Sequence, residues 1–357
     1  MLQRVRPWIP LLKLGSNVRK SKIIYENFFR SNVIQAFLDE GLFDFLKQER
    51  TKEEIIRFFG YTETHLVDQL LSIFVKDDVL RADNGHYIAN YPLPEMDVDI
   101  PFFSDSAQTL WKDYAKAIPN RFRGEYKEFT GGTNLFNWHD TLQTRTYALL
   151  RQSAFNFADI TNKPAIFLDL GCGNGFGTTA IWNYYYEKNQ FLEENLGKMK
   201  IIGIDSDTNL IQIAKEQFPV MLKQFVNLSY DEQQNLEAFF PTFQIGTADN
   251  IPFDDNTFDV VYASQVLHWT SGKDAIKEMV RVTKPKGLIF GSTTLFPTAS
   301  HYANFHILVL KGSHGYFTKE ELINWSKEAG AKDIQFCTPI TNFKFQKLAP
   351  KGSGLHL

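Results

Sequence analysis

The chain has 357 residues, which is long enough for about two domains, and its hydrophobic fraction of 43% can bury a sizeable core. A net charge of −3 gives no reason to expect a polyanionic partner, and two cysteines exclude both a disulfide framework and a cysteine-rich zinc site. The low cysteine count makes a reducing cytoplasm the expected location. No apolar run approaches the ~20 residues that cross a bilayer.

The first segment is interpreted as a basic arm, residues 1–20. Six basic and no acidic side chains fall within residues 1–22, and the apolar part is short and interrupted by Pro7 and Pro10. This pattern is poor for a secretory signal and favours a solvated or docked arm. A basic segment that contains a tryptophan could instead contact a membrane surface, which we do not favour.

Residues 21–92 have the pattern of a winged helix, with three helices followed by a hairpin. Apolar residues recur at helical spacing within residues 22–47 and within residues 64–76. Thr51 and Glu54 have the spacing of a capping box, which predicts the start of the second helix. The sequence Asp83-Asn84-Gly85 lies between two short apolar segments and predicts a tight hairpin turn.

The charge of the third helix bears on what this module binds. A winged helix that binds DNA presents a basic third helix to the phosphate backbone. Here the third helix has acidic neighbours instead, namely Glu63, Asp68, Asp77 and Asp78 against Lys76. We therefore expect no nucleic-acid partner.

Three runs of residues resemble the N-terminal dimerisation domain of small-molecule O-methyltransferases. They are Val33–Leu46, Thr51–Ile56 and Gly85–Ile88. In that family the winged helix pairs two subunits and does not contact nucleic acid. The resemblance implies that the protein is a homodimer that forms through this domain.

Residues 93–160 are interpreted as a helical linker and substrate lid. Residues 91–101 hold three prolines and three acidic residues, which is typical of a linker. The rest of the segment has a helical pattern and is rich in aromatic residues, which often line ligand pockets. Trp138 and His139 are candidate substrate contacts there. The alternative is that aromatic residues such as Trp111 form ordinary domain core.

The final segment, residues 161–350, begins with an apolar strand that runs into a glycine-rich turn. Glycines let the backbone turn sharply and approach a ligand closely, and the helix N-terminus behind them favours electronegative groups. The candidate cofactor contacts of this turn are Asp169, Gly171, Gly173, Asn174 and Gly175.

The spacing of these glycines bears on the choice of cofactor. A dinucleotide-binding turn would need a third glycine where this chain has Phe176 or Thr178. The carboxylate of Asp169 would also repel a pyrophosphate, which argues against an oxidoreductase with a nicotinamide cofactor. S-adenosylmethionine has no phosphate and is cationic, so the same carboxylate favours it. The pattern Asp-x-Gly-x-Gly-x-Gly resembles the first motif of class I S-adenosylmethionine-dependent methyltransferases.

Acidic residues recur in two later segments. The strand Met199–Asp205 ends in a carboxylate that can accept hydrogen bonds from both ribose hydroxyls of a cofactor, with Ser206 beside it. The alternative is that Asp205 caps the next helix. The run around Asp249 and Asn250 resembles the methyltransferase motif in which an acid binds the adenine amino group.

The fourth motif, Phe258–Trp269, combines a strand with residues that open onto the site, and Ser264 is a further candidate cofactor contact. The helix, turn and strand that follow resemble methyltransferases of quinone biosynthesis, although the turn reads Lys-Pro-Lys-Gly where they usually have Lys-Pro-Gly-Gly. Dimerising O-methyltransferases carry a catalytic histidine in a Leu-His-Asp-Trp run, and this chain has Leu-His-Trp. His268 is therefore the candidate base, with a role in shaping the pocket as the alternative, and Trp269 is a candidate substrate contact.

Together the four motifs predict an α/β fold with a doubly wound, mostly parallel seven-stranded sheet of the Rossmann-like, class I methyltransferase type, preceded by the winged-helix domain. The resemblance implies that the last strand runs antiparallel. It also implies S-adenosylmethionine as cofactor and in-line methyl transfer, with no metal, to a small, apolar or aromatic acceptor by O- or C-methylation. The alternatives are an S-adenosylmethionine-binding winged-helix regulator and a methyltransferase that acts on a lipid at a membrane surface.

Overall fold

The computed structural model describes residues 9–94, 96, 100, 105–128, 145–160, 165–188, 199–226, 234, 236–296, 299–337 and 342–349. The chain divides into two compact units. Unit 1 comprises Met1–Phe129 and Pro297–Gly315, and unit 2 comprises Thr130–Phe296 and Tyr316–Leu357. Trp138 and His139, the two candidate substrate contacts of the predicted lid, lie outside the described residues.

The helices are α1 Ile9–Asp39, α2 Leu42–Phe45, α3 Lys52–Phe59, α4 Thr64–Lys76, α5 Asp105–Lys116, α6 Ile118–Phe122, α7 Arg145–Ala158, α8 Phe176–Lys188, α9 Thr208–Val226, α10 Gly272–Val282, α11 His301–Leu308 and α12 Lys319–Glu328. The strands are β1 Arg50–Thr51, β2 Leu80–Asp83, β3 His86–Ala89, β4 Ile166–Leu170, β5 Lys200–Asp205, β6 Thr242–Ile245, β7 Phe258–Ser264, β8 Thr283–Ser292, β9 Leu295–Phe296, β10 Phe317–Thr318, β11 Ala331–Cys337 and β12 Asn342–Lys347.

The local start and turn patterns predicted for unit 1 are confirmed. Thr51 and Glu54 form the capping box of α3, because each side chain accepts a hydrogen bond from the other residue's backbone N–H. Asn84 and Gly85 both have the left-handed φ that a two-residue hairpin turn requires, at 46° and 80°. The hairpin pairs β2 with β3, and β1 adds to the other edge of β3.

The first helix begins earlier than the sequence predicts, at Ile9 instead of residue 22. Helical backbone therefore runs through most of the segment interpreted as an arm. Pro10 does not prevent this, because a proline in the first turn of a helix removes an N–H that has no intrahelical partner there.

The core of unit 1 is built from aromatic rings on helices α1, α5 and α11. The Phe29 ring lies 4.8 Å from the His306 ring and 5.3 Å from the Trp111 ring, measured between centroids. All three side chains are buried. Trp111 is therefore a core residue of this unit, and helix α11 completes a core that is otherwise formed by residues far earlier in the chain.

Unit 2 contains the predicted seven-stranded sheet, with the strand order β11-β12-β8-β7-β4-β5-β6. Strands β8, β7, β4, β5 and β6 are parallel neighbours, and β12 is antiparallel to both strands beside it, as the resemblance implies. Two apolar cores cover the faces of the sheet. Because β4 is buried on both faces, with Phe167 in one core and Leu168 in the other, its sequence is almost continuously apolar.

Helix α9 continues through Pro219 to Val226. A proline inside a helix costs roughly 3 kcal/mol because it removes one backbone hydrogen bond. Phe218, Met221 and Leu222 are all buried on either side of it, and this packing holds the helix together. Within the described part of the chain, no helix is both long and apolar enough to span a bilayer.

Candidate active site

Four neighbouring strands of unit 2 end in polar side chains at one edge of the sheet. Asp169 lies one residue before the end of β4, and Asp205 and Ser264 are the last residues of β5 and β7. Ser292 is the last residue of β8. Because these strands are parallel, their carboxyl ends form one edge, which is where open α/β sheets bind ligands.

The glycine turn after β4 has a backbone conformation that other residues cannot adopt without strain. Gly171, Gly173 and Gly175 have φ values of 67°, 55° and 88°, in the left-handed region. A Cβ atom on Gly171 would overlap the side chain of Val266. Asn174 is fully buried within the turn. The predicted turn therefore exists, and helix α8 begins directly after it.

Asp169 is buried beneath this turn, with 2% of its surface exposed. Its Oδ2 accepts a hydrogen bond from the Thr178 hydroxyl at 2.6 Å. Burial raises the pKa of Asp169 to about 7; the Thr178 hydrogen bond opposes this, and the charge of Asp205 adds to it. The sequence interpretation missed the role of Thr178, although its place in the first turn of α8 makes it available to this carboxylate.

Asp205 holds the glycine turn from the neighbouring strand. Its Oδ2 accepts the Gly173 backbone N–H at 2.9 Å, and its Oδ1 accepts the Asp207 backbone N–H at 3.0 Å. Burial raises the pKa of Asp205, and these two N–H groups oppose the rise. The cap of α9 comes instead from Asp207, whose Oδ1 accepts the N–H groups of residues 209 and 210. Ser206 is exposed between the two acids.

Asp249 and Asn250 are exposed in the loop that follows β6. This loop leaves the sheet beside Asp205, because Asp205 pairs with the last residue of β6 and its carbonyl accepts the next backbone N–H at 3.0 Å. The predicted adenine contacts therefore start from the same edge as the predicted ribose contact.

An ion pair on helix α10 anchors that loop, and the sequence interpretation did not identify it. Glu278 accepts the Ile251 backbone N–H at 2.9 Å, and Arg281 donates to the carbonyl oxygens of Ile251 and Phe253, both at 2.8 Å. Arg281 also pairs with Glu278 at 2.7 Å. The Glu-x-x-Arg spacing, which places both side chains on one helix face, was the available indication.

His268, the candidate base, lies in the turn Leu267–Trp269 after β7 and is buried. Its ring lies 5.0 Å from the Trp269 ring and 5.1 Å from the Tyr316 ring, between centroids. Burial lowers the pKa of His268 to about 3, so the imidazole is neutral at physiological pH. A neutral imidazole can accept a proton, although this low pKa makes it a weak base. Trp269 is half-buried beside it.

The edge of the sheet has the chemistry of a site for a cationic nucleoside. Burial raises the pKa values of both carboxylates; the charge of Asp205 raises the pKa of Asp169 further, and both charges raise the pKa of the Cys172 thiol. A positively charged ligand would relieve this repulsion, and a ribose diol could use the remaining lone pairs of Asp205. S-adenosylmethionine carries both groups, so the residues fit it. A pyrophosphate would meet two negative charges.

A family model described as a methyltransferase domain matches residues 168–291. These residues form an S-adenosylmethionine-dependent methyltransferase domain. The match begins within β4 and ends within β8, so it covers the glycine turn, both carboxylates, the anchored loop and His268. The cofactor of this domain is S-adenosylmethionine, as expected from the sequence.

Two curated relatives resemble this part of the chain. An uncharacterised methyltransferase of Schizosaccharomyces pombe is 32% identical over 123 residues, which cover 34% of this chain and 37% of the relative. A demethylmenaquinone methyltransferase of Bacillus cereus is 29% identical over 146 residues, which cover 40% of this chain and 51% of the relative. The chain thus spans about half the length of these relatives or less.

A solved structure resembles the chain over nearly its whole length. The carbon methyltransferase CurJ has a TM-score of 0.66 at 15% sequence identity, and the similarity covers 97% of this chain and 99% of that one. At this identity the likeness shows a shared fold.

Proposed function

We propose that the protein transfers the methyl group of S-adenosylmethionine to a small, apolar or aromatic acceptor by O- or C-methylation. The observation that carries the proposal is that two carboxylates, Asp169 and Asp205, lie beside one glycine turn at the carboxyl edge of the sheet. The demethylmenaquinone methyltransferase of Bacillus cereus, which is named for an apolar quinone, supports an acceptor of this kind.

The described residues suggest how the reaction is supported. Bound S-adenosylmethionine supplies a methyl group on a positively charged sulfur. Asp205 and the turn it holds position the ribose, while buried Asp169 favours the positive charge of the donor. Holding the acceptor atom in line with the methyl group, within ~3–3.5 Å, can supply much of the rate acceleration. His268 stands at the same edge as a neutral group that can take a proton from a hydroxyl or an acidic carbon.

The test of this function is a binding titration followed by product identification. The full chain is titrated with S-adenosylmethionine and, separately, with NADH, and is then incubated with methyl-labelled donor and a cell extract. Binding of the donor alone, together with a labelled small molecule, supports the proposal. Tight NADH binding, or the absence of donor binding by a folded protein, would contradict it.

A labelled lipid would favour the membrane alternative, which the basic segment at residues 1–22 motivates. Donor binding together with specific DNA binding at low salt would favour the winged-helix regulator. The acidic residues in and beside the third helix argue against that outcome, since Asp68 is exposed there and Asp77 and Asp78 follow its last turn. The same helices and hairpin lead us to propose that residues 21–92 form a winged helix of the kind that pairs two subunits.

The predicted lid remains part of the proposal through Trp138 and His139. If Trp138 lines the acceptor pocket, Trp138→Ala should raise the acceptor KM and leave donor affinity nearly unchanged. Loss of both affinities together would show that the residue has a structural role.

A further inference from the structure

A group of neutral polar side chains, the hydroxyl–amide cluster, lies where β7 and β8 end. Its members are Ser264, Gln265, Ser292, Thr293 and Thr294. The Oγ atoms of Ser264 and Ser292 are 2.8 Å apart. The Gln265 side chain donates to Ser292 Oγ at 3.4 Å and accepts from the Thr294 hydroxyl at 3.1 Å. Four side chains from two strand ends thus form one connected network.

The backbone at Gln265 is held in an uncommon conformation. Its φ is 57°, in the left-handed region that residues other than glycine rarely adopt, and its N–H donates to the Ser292 carbonyl at 2.7 Å. Strained backbone of this kind persists where the surroundings impose it, often at functional sites. The next residue, Val266, packs directly on Gly171 of the cofactor turn. The cluster therefore adjoins the donor site on the β8 side.

The cluster still has hydrogen-bonding capacity. Ser292 and Thr293 are buried, with 0% and 2% of their surface exposed. The Thr293 hydroxyl has no hydrogen-bond partner among the described residues. The Gln265 amide nitrogen carries two hydrogens, and its bond to Ser292 uses one of them. Buried hydroxyls are normally satisfied, so an unpaired one beside a binding edge indicates a missing polar partner.

The chemistry of the cluster selects the kind of partner. All five side chains are neutral, so the cluster has no carboxylate to hold an ammonium and no cation to hold a carboxylate or phosphate. Hydroxyls and an amide N–H are donors suited to an uncharged oxygen. We propose that the hydroxyl–amide cluster binds a carbonyl or hydroxyl oxygen of the methyl acceptor. This inference rests on the proposed function, because it assigns the acceptor side of the same site.

The test compares two ring compounds that differ by one oxygen, 1-naphthol and naphthalene. Their dissociation constants are measured by ligand-observed NMR on the full chain, with and without S-adenosylhomocysteine. Wild-type protein is expected to bind 1-naphthol roughly tenfold more tightly than naphthalene, the scale of one buried hydrogen bond. The double variant Ser264→Ala/Ser292→Ala should bring that ratio close to one.

Two further variants separate an acceptor role from a structural one. Gln265→Asn keeps an amide and tolerates the left-handed backbone, but its shorter side chain should reduce the 1-naphthol preference. Thr257→Ala removes a hydroxyl at the other end of β7, where it donates to the Asp254 carbonyl at 2.7 Å, and should leave the preference unchanged. Thermal melting and donor titration are recorded for each variant.

Equal binding of the two probes by wild-type protein, or binding of neither, contradicts the inference. So does a parallel loss of donor and 1-naphthol affinity in the double variant, which would make the cluster part of the donor site. Failure of the proposed function is recognised separately, since it is a failure to bind S-adenosylmethionine. The probe comparison without S-adenosylhomocysteine does not depend on that result.

Discussion

Replacing Asp205 tests the donor site most directly. Asp205→Ala removes the acceptor of two backbone hydrogen bonds, at 2.9 Å from Gly173 and 3.0 Å from Asp207, and the expected acceptor of the ribose hydroxyls. Hydrogen bonds to charged groups are worth roughly 1.5–3 kcal/mol. Loss of the ribose contact alone should therefore weaken S-adenosylmethionine binding roughly 10- to 100-fold.

The same carboxylate holds Gly173, so the variant should also loosen the glycine turn. Asp205→Asn separates the two effects, because its amide oxygen can still accept one backbone N–H while the charge is lost. We expect its donor affinity to lie between those of wild-type protein and Asp205→Ala. Asp207→Ala is the matched control, since that residue caps α9 and should cost roughly 1 kcal/mol of stability with little change in donor affinity.

The affinity of each variant for S-adenosylmethionine and S-adenosylhomocysteine is measured by isothermal titration calorimetry, and circular dichroism establishes that the variant is folded. A folded Asp205→Ala variant that binds both ligands as tightly as wild-type protein would refute the assignment. An equal loss of affinity in Asp207→Ala would also refute it, because the effect would then follow from the helix cap.

Three other outcomes are expected. Burial raises the pKa of Asp169 to about 7, well above its value in an unfolded chain, so the folded protein binds this proton more tightly. The contribution of this carboxyl group to stability therefore declines as the pH rises from about 4 to 7. A cationic donor favours the ionised form, so titrations between pH 5.5 and 7 should show affinity rising by up to about tenfold per pH unit, and Asp169→Asn should abolish the trend. Arg281→Ala removes the donor to the carbonyls of Ile251 and Phe253 and should lower the free energy of unfolding by roughly 1–3 kcal/mol. It should also weaken the binding of S-adenosylmethionine more than the binding of methionine, which has no adenosine group. Equal effects on both ligands would contradict an adenine role for the loop. The full chain should be a dimer by light scattering at micromolar concentration, and a monomer there would contradict the pairing proposed for residues 21–92.

Most of unit 2 could be predicted because its sequence patterns are local. The apolar run of β4, the glycines after it and the acid at the end of β5 each impose one backbone arrangement, and the structure has all three. The capping box at Thr51 in unit 1 is equally local and is present. Such patterns can be recognised in the sequence because the interacting residues are three or fewer positions apart or lie on one strand.

Contacts between residues that are brought together only by the fold could not be predicted from these local patterns. Thr178 meets Asp169 only after the turn between β4 and α8 has formed, and Arg281 reaches the loop after β6 across about 30 residues of sequence. The low pKa of His268 is likewise a result of tertiary burial, and nothing in the Leu-His-Trp run indicates it. The early start of α1 at Ile9 was missed because Pro10 was interpreted as an interruption and not as a first-turn residue.

The grouping of Pro297–Gly315 with the N-terminal residues has a consequence for how the protein is made. Helix α11 supplies buried core residues such as Tyr302 and His306 to a unit whose other residues end at 129. At roughly 5–20 residues per second, a ribosome needs roughly 10 to 40 s to pass from residue 129 to residue 308. During that interval the first unit lacks part of its interior, so the nascent chain exposes aromatic surface that chaperones can bind. For the same reason, fusing residues 1–129 alone to another protein should give an unstable product.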